Sequence, residues 1–293
     1  MADDVINTVD QKDYWRQAVR PPGAELLQLT NTLDQCIASF LQVRDSVPFG
    51  HWEAPAEGKA LSHLMVRNLQ AALVMARADE GLAGAAWAST RVVFEHAVRI
   101  IWLLYPNDPF ERECRWLGFL KDTERFHKLV AEAMENDPTS SGGPIHRDRA
   151  NKMRTFREGV TAKLPTGYAP QRPPSFEQML QSVDSAEMYR FYREGSQYVH
   201  GSMWGTALYR TNLGNDAEFG DFTHTVHWVL PLRLCWLSLR NAGRILLDRL
   251  QAPQCDWEQL GHAVDHDFQK LAETLTDAAV VPPPSTEAAP PHP

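Results

Sequence analysis

The chain of 293 residues carries 29 Lys and Arg against 37 Asp and Glu, a formal charge of −8, and 43% of it is hydrophobic. That balance argues against a generic nucleic-acid coat, which needs a basic face, and the length allows one large domain or two small ones, with a real core. Cys36, Cys114, Cys235 and Cys255 are far apart without a C-x-x-C pair, and the first residues, M-A-D-D-V-I-N, lack the charged and apolar parts of a secretory leader, so a reduced, cytoplasmic protein is expected.

Residues 1–22 are polar and close on Pro21-Pro22, which predicts a flexible N-terminal arm ahead of a helical domain over 23–279. Leu26, Leu29, Leu33, Ile37, Phe40 and Leu41 keep a three-to-four spacing and predict a helix over about 24–46. Leu61, Met65, Leu69, Ala72 and Met75 predict a second over about 58–79. The third is predicted over about 81–105, ending at Pro106. It opens with Gly81, Ala83, Gly84, Ala85, Ala86 and Ala88, small residues that let a neighbouring backbone come close, which puts it at the centre. A fourth follows at about 109–136.

Residues 136–174 are rich in Pro and Gly and carry Arg147, Arg149, Lys152, Arg154, Arg157 and Lys163 against Asp148 and Glu158. They read as a basic loop insertion around one short helix. Ser175-x-x-Gln178 and Asp184-x-x-Glu187 have capping-box spacing, the second opening a helix over about 185–200. A long helix at about 222–251 contains Pro231, which should kink or interrupt it. The last helix starts after Pro253, and residues 280–293 form a Pro-rich tail expected to be disordered. No period-2 segment competes, so the fold class is all-α, a single helical bundle of about seven or eight helices. The apolar stretches 85–105 and 226–239 are broken by Arg91, Glu95, His96 and Arg99 and by Arg233, so no membrane partner is expected.

Chemistry concentrates in two helices. Arg91, Glu95 and Arg99 lie one turn apart among Val, Phe, Ile and Trp, where charges must pair; Arg91 and Glu95 are expected to be mostly buried and mutually hydrogen-bonded. In Y-R-F-Y-R-E-G-S-Q-Y-V-H-G over 189–201, Tyr192, Ser196 and His200 recur at i, i+4 and i+8, with Arg193 seven residues before His200. An imidazole can move a proton to or from a ribose oxygen, and an arginine beside it can stabilise charge on a phosphate. A third set, Glu95, Glu124-x-x-His127, Glu187 or Glu194, and Asp221-x-x-His224, follows the order of ligands in ferritin-like di-metal proteins. Glu258, His262 and His266 read as a solvated helix face, and the Trp residues, among them Trp87, Trp102, Trp116, Trp204, Trp228 and Trp236, as core. No P-loop, G-x-G-x-x-G or G-x-S-x-G occurs, and no cofactor is expected.

The spacing of Arg193 and His200 resembles the R-x4-6-H motif of HEPN-type helical ribonucleases, with Glu194 where those proteins place Asn, Asp or His. The resemblance implies metal-free RNA cleavage at a site composed across a homodimer, in a toxin or defence setting, with His200 as acid/base, Arg193 at the phosphate and Glu95 with Arg91 orienting them. Tyr192, Ser196, Arg147, Arg149 and Lys152 are the expected RNA-binding positions. R-x3-E at Arg91 and Glu95, with Y-x3-S-x3-H-G at Tyr192, Ser196, His200 and Gly201, is also similar to a bacterial all-helical family of unknown function, over roughly residues 60–250. Two other readings stand beside the ribonuclease: a non-catalytic interaction or small-ligand-binding module built on a buried Arg/Glu/His network, and the ferritin-like di-metal protein.

Overall fold

A computed structural model describes residues 19–48, 50–137, 139–212 and 218–280. Ten α-helices occur among them: α1 (Ala24–Ser46), α2 (Glu53–Ala78), α3 (Ala83–Leu104), α4 (Pro109–Glu135), α5 (Gly143–Thr161), α6 (Phe176–Gln181), α7 (Tyr189–Val199), α8 (Met203–Thr206), α9 (Val226–Arg249) and α10 (Trp257–Val280). Two-residue strands, Arg210–Thr211 and Glu218–Phe219, pair antiparallel between α8 and α9. The protein is all-helical apart from that ribbon. The count exceeds the expected seven or eight because segments such as the one-turn α8 are too short to show a hydrophobic period.

The small-residue start of α3 serves the purpose its composition suggests. Ala83, Ala86, Thr90 and Ala97 are buried, and α3 packs against α2, α4, α6, α7 and α9. The Cys235 thiol lies 3.6 Å from the Thr90 hydroxyl where α9 meets α3. Outside this core, α1 packs on α2, α9 and α10. Arg44, at the end of α1, is 1% exposed, bonding Ser62 of α2 and pairing with Asp45 at 2.9 Å. Glu113 of α4 is also buried and accepts the Ala54 amide in the first turn of α2 at 2.8 Å, filling a capping role that the residue before α2, Trp52, cannot. All four cysteines are buried free thiols, with Cys36 and Cys235 pushed up to about 12 by burial.

Several expectations change. Asp184 does not cap α7: its backbone is left-handed at φ 54°, and the helix is entered through a 3-10 turn, Ala186–Met188. Ser175 and Gln178 do form a capping box. α9 runs unbroken through Pro231, which falls in its second turn and is buried. Trp204 is 63% exposed, because α8 is a single turn on the outside, whereas Trp87, Trp102, Trp116, Trp228 and Trp236 are buried. In the basic segment the helix is five turns long and packs along α4, with Arg157 on Glu124, Arg147 on Glu135 and Lys152 on Asp148. Of the expected arm, residues 1–18 lie outside the described residues, while Arg20 is held by the Thr223 carbonyl and by Asp221. The expected tail beyond Val280 also lies outside them.

The chain returns from α5 across α4 at Gly118. The Gln171 amide donates to the Cys114 carbonyl at 2.9 Å, and a Cβ at Gly118 would overlap the Gln171 carbonyl oxygen. Backbone cannot swing aside as a flexible side chain can, so Gly118→Ala should lower stability by about 1–3 kcal/mol in a denaturant melt. A melt matching wild type would show that the 165–174 segment is not held against α4.

Candidate functional site at the crossing of α3 and α7

Helix α7 begins with a run of aromatic residues and carries a glycine at the end of its second turn. Gly195 is buried where α7 meets α3: a Cβ there would stand 3.2 Å from the Arg91 Cβ and 3.5 Å from Trp87 Cε3. The missing side chain lets the backbone of α7 lie on Arg91, at a helix-propensity cost of about 1 kcal/mol relative to Ala. Aromatic pairs flank the contact. Trp87 stacks on Tyr198 with ring centroids 5.2 Å apart and planes 3° apart, and Tyr192 packs on Phe176 at 4.5 Å.

Arg91 is the hub of this crossing. Its Nε donates to Glu95 Oε1 at 2.9 Å, its Nη2 donates to the Tyr192 hydroxyl at 3.0 Å, and its Nη1 stands 3.5 Å from His200 Nε2. The guanidinium also lies over the Tyr192 ring, 4.7 Å from its centroid. Arg91 and Glu95 are bonded to each other and mostly buried as expected, at 15% and 24% side-chain exposure, with α7 covering one side of them. Arg99 stands outside the pair, exposed beside Phe119 and Phe126.

The structure brings together Arg91, Glu95, Tyr192 and His200, and it leaves Arg193 apart. Arg193 is exposed, and its side chain makes no hydrogen bond or ion pair among the described residues. Seven residues return to the same helix face but span about 10.5 Å along the axis, too far for direct contact. His200 is the C-cap of α7, exposed, with non-helical φ −95° and ψ 5°. The Ser196 hydroxyl is spent on the Tyr192 carbonyl of its own helix at 2.7 Å. Arg147, Arg149 and Lys152 stand on α5, and no hydrogen bond joins them to Arg91, Tyr192 or His200 among the described residues.

The di-metal set does not assemble: no group of three or more His, Cys, Asp or Glu able to hold a metal occurs among the described residues. Four of its members have other partners. Glu95 holds Arg91, Glu124 holds Arg157, Asp221 holds Arg20, and His127 Nδ1 lies 2.9 Å from His146 Nδ1. No helix among the described residues is long and apolar enough to cross a membrane.

Two features of the crossing, Gly195 and Tyr198, are not in the expected set. Gly195 permits the approach, and its signal was legible as a glycine inside an otherwise helical run. Tyr198 bonds the Trp204 indole, and its hydroxyl is held above its ordinary value by burial, then by Glu194. Glu194 itself is half-buried.

The fold is thus an all-helical one whose polar crossing of α3 and α7 gathers the residues of two short motifs. The chain belongs to the family described as "Family of unknown function (DUF5677)", whose model matches residues 59–218, from within α2 to the start of the second short strand and across that crossing. Comparisons with curated proteins and with solved structures give no match.

Burial holds the Glu194 carboxyl above its ordinary 4.5, with Arg190 opposing. The folded state therefore binds that proton more tightly than the unfolded chain, and stability is lost as pH rises from 4.5 through the folded value. Glu194→Gln should melt above wild type at pH 7, and the gap should close below pH 4.5. Equal melting temperatures at pH 7 would mean that Glu194 is fully solvated.

Proposed function

We propose that the α3–α7 crossing is a metal-free site for RNA cleavage, with His200 as the acid/base and Arg91 as the phosphate partner. The observation that carries this reading is the free end of the Arg91 guanidinium 3.5 Å from an exposed imidazole. The other two donor positions of Arg91 are tied to Glu95 and Tyr192, which set its plane and leave Nη1 for a ligand. Arg91 thus takes the role that the HEPN-like spacing assigned to Arg193.

His200 removes the proton of a ribose 2′-hydroxyl, and that oxygen attacks the adjacent phosphorus. Arg91 stabilises the negative charge gathering on the phosphoryl oxygens. The bond to the 5′-oxygen breaks, the leaving oxygen takes a proton from the imidazolium or from water, and a cyclic phosphate remains. Glu95 and Tyr192 are positioning residues. The exposed Val199, Met203 and Trp204 next to His200 support a homodimer in which a second copy walls the site. Four buried free thiols fit a cytoplasmic setting of the toxin or defence type.

Wild-type protein should cleave RNA with EDTA present. His200→Ala should abolish the cleavage with little change in melting temperature, because the ring is exposed. Arg91→Lys should slow it by about a hundredfold, since an ammonium cannot keep three directed contacts. Absence of EDTA-resistant cleavage by wild type, or full activity of His200→Ala, overturns the reading. Trp204→Glu should shift the protein toward monomer in light scattering and lower cleavage in parallel; an unchanged mass would remove the second copy from the site.

A further inference from the structure

A cavity of about 830 Å³ opens between the second half of α9 and the start of α10, within the roughly 300–1,000 Å³ range of small-molecule sites. It is lined by Arg240 and Arg244 of α9 and, opposite them, by Gln254, Asp256, Trp257 and Glu258. Arg240 and Arg244 are one turn apart, so their guanidiniums lean to the same side.

The state of these two arginines separates them from their neighbours on α9. Arg233 pairs with Asp265 at 2.8 Å, and Arg249 pairs with Asp248 at 2.6 Å while bonding the Leu104 and Tyr105 carbonyls. Arg240 and Arg244 make no hydrogen bond or ion pair among the described residues, although the chain as a whole is acidic. Arg240 is half-buried, and its Nε is shut from solvent with no acceptor. An unmet buried donor of this kind is costly, which marks Arg240 as a side chain that the protein's own groups do not satisfy.

The carboxylates at the rim do not take up the charge. Asp248 is committed to Arg249, Asp256 Oδ1 accepts the Gln259 amide, and Glu258 is 88% exposed, 3.9 Å from His262. The geometry points to a binding site for a small phosphate-bearing molecule, its oxyanion held between Arg240 and Arg244. Arginine suits that ligand because its planar fork meets two phosphate oxygens at once. The cavity lies beyond residues 59–218 and shares no residue with the α3–α7 crossing, so the assignment is independent of the RNA reading.

The test is calorimetric titration of the full chain with inorganic pyrophosphate. Wild type should bind at one site. Arg244→Gln, a change at an exposed position that leaves the fold intact, should weaken binding by about tenfold or more. Glu258→Gln should tighten it, because a negative charge leaves the rim, and Arg125→Gln, at an exposed arginine of α4, should change nothing. No binding by wild type at millimolar pyrophosphate overturns the assignment. So does an Arg244→Gln protein that binds like wild type, or equal weakening by Arg125→Gln, which would show attraction to diffuse charge.

Discussion

The candidate site depends on one close approach, that of α7 to α3 at Gly195. With no side chain at that position, the backbone of α7 rests on Arg91, and the stacked Trp87 and Tyr198 hold the helix there. Everything polar at the crossing follows from it. Tyr192 comes within hydrogen-bond reach of a guanidinium a hundred residues earlier in the chain, and the end of α7 sets His200 beside the same group. A methyl at Gly195 would press on Arg91 itself, so packing and chemistry meet in one residue.

Arg91 is mostly but not fully buried, which is the condition under which its contacts matter most. A fully solvated guanidinium gains little from an ion pair, and a fully buried one must bring its counter-charge along. Here the inner side of the group is satisfied by Glu95 and Tyr192 while the outer side faces His200 and solvent. The same economy of charge runs through the rest of the molecule. The basic helix α5 spends Arg147, Lys152 and Arg157 on carboxylates of its own hairpin, and three of the acids that matched a metal-ligand order, Glu95, Glu124 and Asp221, are held by arginines. Of the arginines left without an ion pair among the described residues, Arg240 and Arg244 line a cavity, while Arg193 stands on an open face.

The hydrophobic spacing of Leu26 to Leu41 made α1 legible over about 24–46, and the small residues that open α3 pointed to its central place. Periodicity and proximity of small side chains are local properties, and helices made of local hydrogen bonds obey them. The pairing of Arg91 with Glu95 was legible for the same reason, since i and i+4 share a face whatever surrounds them. Tertiary structure alone decided which arginine meets His200, because the guanidinium that does so comes from another helix, while Arg193 shares a face with His200 at a separation the side chains do not bridge. It also decided that Trp204 lies outside while Trp87, Trp102, Trp116, Trp228 and Trp236 lie in the core, and that Glu95, Glu124 and Asp221 of the metal-ligand pattern are held by arginine partners. Composition records which groups are present; only the packing of distant helices settles which of them share a site, and that depends on contacts such as Gly195 on Arg91 that no short-range spacing encodes.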